Sequence, residues 1–77
     1  MNVKQLRAFV AVAKYQSFAQ AGEPLHVSQP ALSLTIKALE ENLGGALLSR
    51  TTRSVSLTAE GEVLLPLARR LLADWDD

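Results

Sequence analysis

The segment from Ser28 to Gly45 is the tightest constraint in these 77 residues, because its ends and its buried face are all specified locally. Ser28 carries a hydroxyl suited to accept a backbone N–H at a helix start, and Pro30 follows in the first turn, where a missing N–H costs nothing. Leu32, Ile36, Leu39 and Leu43 then fall at i, i+4, i+7 and i+11, one apolar stripe of helical period. Gly44-Gly45 supplies the permissive backbone that ends it. The spacing predicts a helix over residues 29–43 that must bury one side against other elements.

Those elements lie on both flanks. Asn2 and Gln5 have the spacing of a reciprocal cap, and Leu6, Phe9, Val10 and Ala13 recur at i, i+3, i+4 and i+7, predicting a first helix over residues 3–15. Ser17 and Gln20 repeat the cap, so a second helix starts at Phe18 and turns Ala21 and Leu25 to the core. It should end or tighten near Pro24, which removes the bond to the Gln20 carbonyl, and Gly22 weakens it by about 1 kcal/mol relative to Ala. His26-Val27-Ser28 is a short connector. Downstream, residues 46–50 and 55–57 read as two extended stretches around Thr51-Thr52-Arg53-Ser54, a small hairpin. Thr58 caps a fourth helix with Glu60 and Glu62 at the positive end of its dipole. Leu64, Leu67, Ala68, Leu71 and Trp75 form its apolar stripe, and Pro66 is expected to bend it.

A domain this small buries only about 60% of the surface its unfolded chain exposes. The chain has no cysteine, so neither disulfides nor a thiolate metal site reinforces the core; a partner subunit is the remaining support. No apolar run approaches the roughly 18 residues of a membrane span, and the expectation is a soluble, cytoplasmic protein. Charge is balanced, with eight Lys and Arg against eight Asp and Glu, but Asp74, Asp76 and Asp77 crowd the end, and residues 1–73 are modestly basic. Contact with phosphates must then rest on a few well-placed cations.

On a helical wheel, Pro30, Leu34, Lys37 and Glu41 lie opposite the buried stripe of the third helix, with Ser33 beside them. Its N-terminal half, with Gln29, Pro30, Ser33 and Leu34, is small and uncharged, which is unusual for a merely solvated face. Amides and hydroxyls meet base edges and apolar groups meet thymine methyls when the second helix of a helix-turn-helix enters the major groove. Ser28, Gln29, Pro30, Ser33, Leu34 and Lys37 are accordingly candidate DNA contacts. Arg53, at the hairpin tip with no carboxylate within six residues, is placed in a minor groove or on a phosphate. Arg50 either grips the DNA backbone or pairs with Glu40 or Glu41.

The chain also resembles the N-terminal region of LysR-type transcription regulators over residues 1–72. The resemblance is carried by Gln5-Leu6, Phe9 to Ala13 and Ser17-Phe18, most specifically by Leu25 to Ser33, and further by Ile36, Leu39-Glu40, Leu43-Gly44, Arg50-Thr51, Arg53, Leu57-Thr58, Gly61 and Ala68 to Leu72. It implies a mainly α winged helix-turn-helix, residues 1–58, followed by a linker helix, residues 59–77, that pairs with its counterpart in a homodimer. It further implies that Gln29, Pro30 and Ser33 face the major groove and that Arg53 lies on the wing against the minor groove. Full-length members carry a C-terminal domain that binds a small-molecule effector, absent from these residues, and commonly form tetramers. Three departures stand out: Leu34 where Arg is common, Gly22-Glu23-Pro24 in the second helix, and Gly45 to Ser49 ahead of Arg50.

The function expected is sequence-specific binding of double-stranded promoter DNA by a homodimer, at an interrupted palindrome, with neither membrane nor cofactor involved. Leu64, Leu67, Ala68, Leu71 and Trp75 are the expected dimer contacts, with packing on the first helix as their alternative and some of each expected. The neutral charge leaves a helical protein-interaction module as the competing reading. Catalysis is rejected: His26 has no Cys or second His to share a metal, and neither a Gly-rich phosphate loop nor a nucleophile–base pair is present.

Overall fold

The computed structural model describes residues 1–51 and 54–76. Its elements, in chain order, are α1 (Val3–Tyr15), α2 (Phe18–Leu25), α3 (Gln29–Leu43), β1 (Leu48–Arg50), β2 (Val55–Leu57) and α4 (Ala59–Asp76). The helix starts sit where the side-chain caps put them. Asn2 Oδ1 accepts from the Gln5 amide at 2.8 Å while Gln5 Oε1 accepts from the Asn2 amide at 3.2 Å, a complete capping box. Ser17 Oγ accepts from the Gln20 amide at 3.1 Å, and Ser28 Oγ accepts from the Ala31 amide at 3.2 Å. Three left-handed residues close the first three helices: Gln16, His26 and Gly44. Helix α2 thus ends one residue beyond Pro24, in keeping with the lost amide.

Helix α1 is the centre of the molecule, packed against α2, α3, α4 and β2. Being covered on several sides, it buries a broader face than its sequence stripe suggests: Gln5, Leu6, Ala8, Phe9 and Val12 are buried, whereas Val10 and Ala13 are only half-buried. Phe9 and Val12 join Leu32, Ile36 and Leu39 of α3 as the largest fully buried side chains. Leu43, expected to extend the α3 stripe, is instead exposed, at the rim of a hollow it lines with Leu47, Val63, Leu64 and Leu67.

The hairpin is a two-stranded antiparallel sheet with Leu48 opposite Leu57 and Arg50 opposite Val55. The first strand starts at Leu48, not at residue 46, since the preceding backbone is committed elsewhere: Glu40 Oε2 accepts from the amides of Leu47 and Leu48 at 2.8 and 3.2 Å. Thr58 then ties the hairpin to α4. Its hydroxyl donates to the Ala46 carbonyl at 2.7 Å and accepts from the Gly61 amide at 3.1 Å, while its own amide donates to the Leu47 carbonyl.

The apolar stripe of α4 divides into two faces. Gly61, Ala68 and Leu72 are buried against the rest of the chain and Leu65 packs on that core, so Ala68, expected at a subunit interface, is enclosed within its own subunit. Leu67, Leu71 and Trp75 remain exposed, joined by Val63, and Leu64 sits between the two faces, half-buried. At the far end Arg7 donates from both terminal guanidinium nitrogens to both carboxylate oxygens of Asp76, clasping α4 to α1.

Candidate nucleic-acid interface

The outward side of α3 is open along its length. Gln29, Pro30, Ala31, Leu34, Lys37, Ala38 and Glu41 are exposed, with Ser33 half-buried at the edge. Buried Leu32, Ile36 and Leu39 hold the opposite side in the core, and this fixes the direction in which the exposed set projects. Ser28 spends a lone pair on the Ala31 amide as the helix cap. Its hydroxyl proton is still available to an acceptor.

Arg50 defines the second half of the surface. Its guanidinium carbon lies 3.9 Å from the centre of the Phe18 ring, and its Nη1 donates to Ser33 Oγ at 2.9 Å. A cation on a ring face at an exposed site contributes about 0.5–1 kcal/mol, enough to favour this position without immobilising the side chain. The expected alternative, an ion pair with Glu40 or Glu41, is not adopted: the Glu40 carboxylate is turned to the amides ahead of β1. Arg50 therefore stands between two hollows. One, between α3 and β1, is walled by Pro30, Ser33, Leu34, Lys37, Glu40 and Arg50. The other, at the start of α2, is lined by Ser17, Phe18, Gln29, Arg50, Thr51 and Ser54 among others.

Seven of the residues singled out for DNA, Ser28, Gln29, Pro30, Ser33, Leu34, Lys37 and Arg50, are thus gathered on one side of the molecule. Arg53 lies outside the described residues; the residues flanking the turn are joined by the Thr51 amide donating to the Ser54 carbonyl at 2.9 Å. Sequence reasoning missed Phe18 as the seat of Arg50 and Glu40 as the anchor of β1. It also missed Val63 and Leu43, which with Leu47, Leu64 and Leu67 line an apolar hollow beside α4. No described helix is long and apolar enough to cross a membrane.

Comparison with known proteins gives this surface its context. The profile described as "Bacterial regulatory helix-turn-helix protein, lysR family" matches residues 3–62. Among curated relatives, the "SDS degradation transcriptional activation protein" of a Pseudomonas species is 55% identical over 71 residues, covering 92% of this chain and 23% of that protein. The "HTH-type transcriptional regulator TfdT" of Cupriavidus pinatubonensis is 49% identical over 73 residues, covering 95% of this chain and 32% of its own. The chain therefore spans between a fifth and a third of the length of these two relatives. Among solved structures, a complex of the BenM DBD with benA site 1 DNA superposes with a TM-score of 0.93 at 45% identity, covering 99% of this chain and 85% of that one. A complex of the CbnR DBD with DNA gives 0.91 at 45% identity, covering 95% and 84%. The four helices and two-stranded wing are the winged helix-turn-helix of these DNA-binding domains, and the chain belongs to the LysR family of bacterial transcription regulators.

Proposed function

We propose that this chain binds double-stranded DNA as a homodimer, with α3 in the major groove and the wing on the adjacent backbone and minor groove, to regulate transcription in the bacterial cytoplasm. The observation that carries the proposal is the outward face of α3, held by a buried opposite face and flanked by Arg50, in a chain 45% identical to proteins solved with DNA. In this reading residues 1–58 meet DNA and residues 59–77 pair the subunits. Gln29 and Ser33 offer hydrogen bonds to base edges, Lys37 and Arg50 hold phosphates, and Arg53 reaches the minor groove. Val63, Leu67, Leu71 and Trp75, with Leu64 at their edge, form the pairing surface. Two-fold symmetry then calls for an interrupted palindrome with half-sites about one helical turn, or a multiple of it, apart. In a longer protein carrying an effector domain, a small molecule would bind that domain and tetramers would form.

A titration of fluorescent duplex pools against the chain in low salt tests the reading. Binding that weakens steeply with salt is expected, and Lys37→Ala should lower the salt slope by about 1 while weakening all sequences alike. No binding to a diverse pool in dilute buffer would overturn the reading and leave a protein-interaction module in its place.

A further inference from the structure

Leu34 is 69% exposed at the middle of the outward face of α3. An isolated exposed leucine needs no explanation, but this one has company. Pro30, Ala31 and Ala38 are exposed on the same side, so four neighbouring apolar groups occupy a face whose charges are confined to Lys37 and Glu41. Helix faces made only for water carry charged and polar groups there, and an apolar group of this kind marks a contact surface. The hollow beside it narrows the choice of contact. Leu34 shares that hollow with Lys37 and Arg50, cations that draw in phosphate, and with Glu40, whose carboxylate is engaged by the Leu47 and Leu48 amides, while its own isobutyl group makes no hydrogen bond with any base edge.

In the major groove the apolar group presented by an ordinary base pair is the C5-methyl of thymine. We propose that Leu34 is a specificity-determining residue that packs on the C5-methyl of one thymine in each half-site. The inference rests on the DNA-binding reading above and adds to it a named base at a named side chain. It assigns to Leu34 a preference that a cation at this position would not have, because a cation would seek guanine O6 and N7 or a phosphate.

The test begins with selection of bound duplexes from a random pool by the 77-residue chain. Each thymidine of the selected half-site is then replaced singly by deoxyuridine, which removes the methyl and leaves the pairing intact, and affinities are read by fluorescence anisotropy. One position is expected at which uracil weakens the parent by about fourfold, the transfer value of one buried methyl. At that position Leu34→Ala, an exposed substitution that leaves the core untouched, should bind the two duplexes equally. A parent that binds the selected DNA yet tolerates uracil everywhere would overturn the thymine assignment while leaving DNA binding intact. A uracil penalty that survives in Leu34→Ala would move the methyl contact to another residue and likewise overturn it. Failure to select any duplex would remove the DNA-binding reading and this inference together.

Discussion

A methyl group added at Gly61 would place its Cβ 2.1 Å from the Leu47 carbonyl oxygen and 3.1 Å from Leu57 Cδ2. The first of these is backbone, fixed by the Thr58 amide that donates to it, so α4 and the wing would have to part. Helix propensity favours Ala over Gly by about 1 kcal/mol, whereas overpacking costs about 1–3 kcal/mol; at this separation the clash wins. Gly61→Ala is expected to lower the thermal midpoint by roughly 10 °C or more, as about 2 kcal/mol does in a domain of this size, and a midpoint at or above that of the parent would refute the close approach. Gly22 is explained in the same way, its absent Cβ lying 2.6 Å from the Val27 carbonyl oxygen; from sequence it registers only as a cost to α2. Single residues were legible where their partner is local. Asn2, Ser17 and Ser28 bond three residues ahead, so spacing is enough. Arg50 and Glu40 were not legible: Arg50 meets Phe18 and Ser33 at separations that only the folded wing creates, and Glu40 reaches amides seven and eight residues on.

Helix α4 shows the same limit at the level of an element. Its extent followed from the Thr58 cap and the long apolar pattern, but the side facing the core did not, because Leu64-Leu65, Leu67-Ala68 and Leu71-Leu72 place an apolar residue on both sides at every turn. Packing decided it: Ala68 and Leu72 went inward and Leu67 and Leu71 outward. The last turn of α4 carries Asp74 and Asp76 and no basic residue, an unfavourable arrangement at the negative end of a helix dipole, which the Arg7 guanidinium offsets. The hydrogen bonds from Arg7, reinforced by its charge, hold the Asp76 carboxyl below its ordinary pKa of 3.8. A carboxyl depressed on folding stabilises the fold above its unfolded pKa and loses that contribution as pH falls through the folded value. The parent should accordingly melt higher than Asp76→Asn near neutral pH, and the gap should close in acid below that ordinary value, and also in high salt because both groups are exposed. A gap that persists in strong acid would show that Asp76 acts through something other than its charge.

The exposed side of α4 combines a projecting Trp75, 68% exposed, with the apolar hollow of Leu43, Leu47, Val63, Leu64 and Leu67 nearer the start of the same helix. In the proposed homodimer, the indole and this hollow are the two apolar features that pairing through α4 would cover. In that reading Leu71→Asp, at a half-exposed site outside the core, should leave helical content unchanged and convert the proposed dimer to monomer in sedimentation at micromolar concentration; a variant that stays dimeric would refute the interface. The three-helix arrangement itself was legible before folding because each helix carries its own start and stop, while the exposed side of α4 left no local signal beyond surplus leucine. One carboxylate, that of Glu40, and one guanidinium, that of Arg50, link the hairpin to the flank of α3, so a displacement of the hairpin is felt at the helix. In the proposed complex, base steps that pinch or splay the duplex beneath the wing would alter how deeply α3 seats a few steps away, and the two ends of a half-site would be judged together.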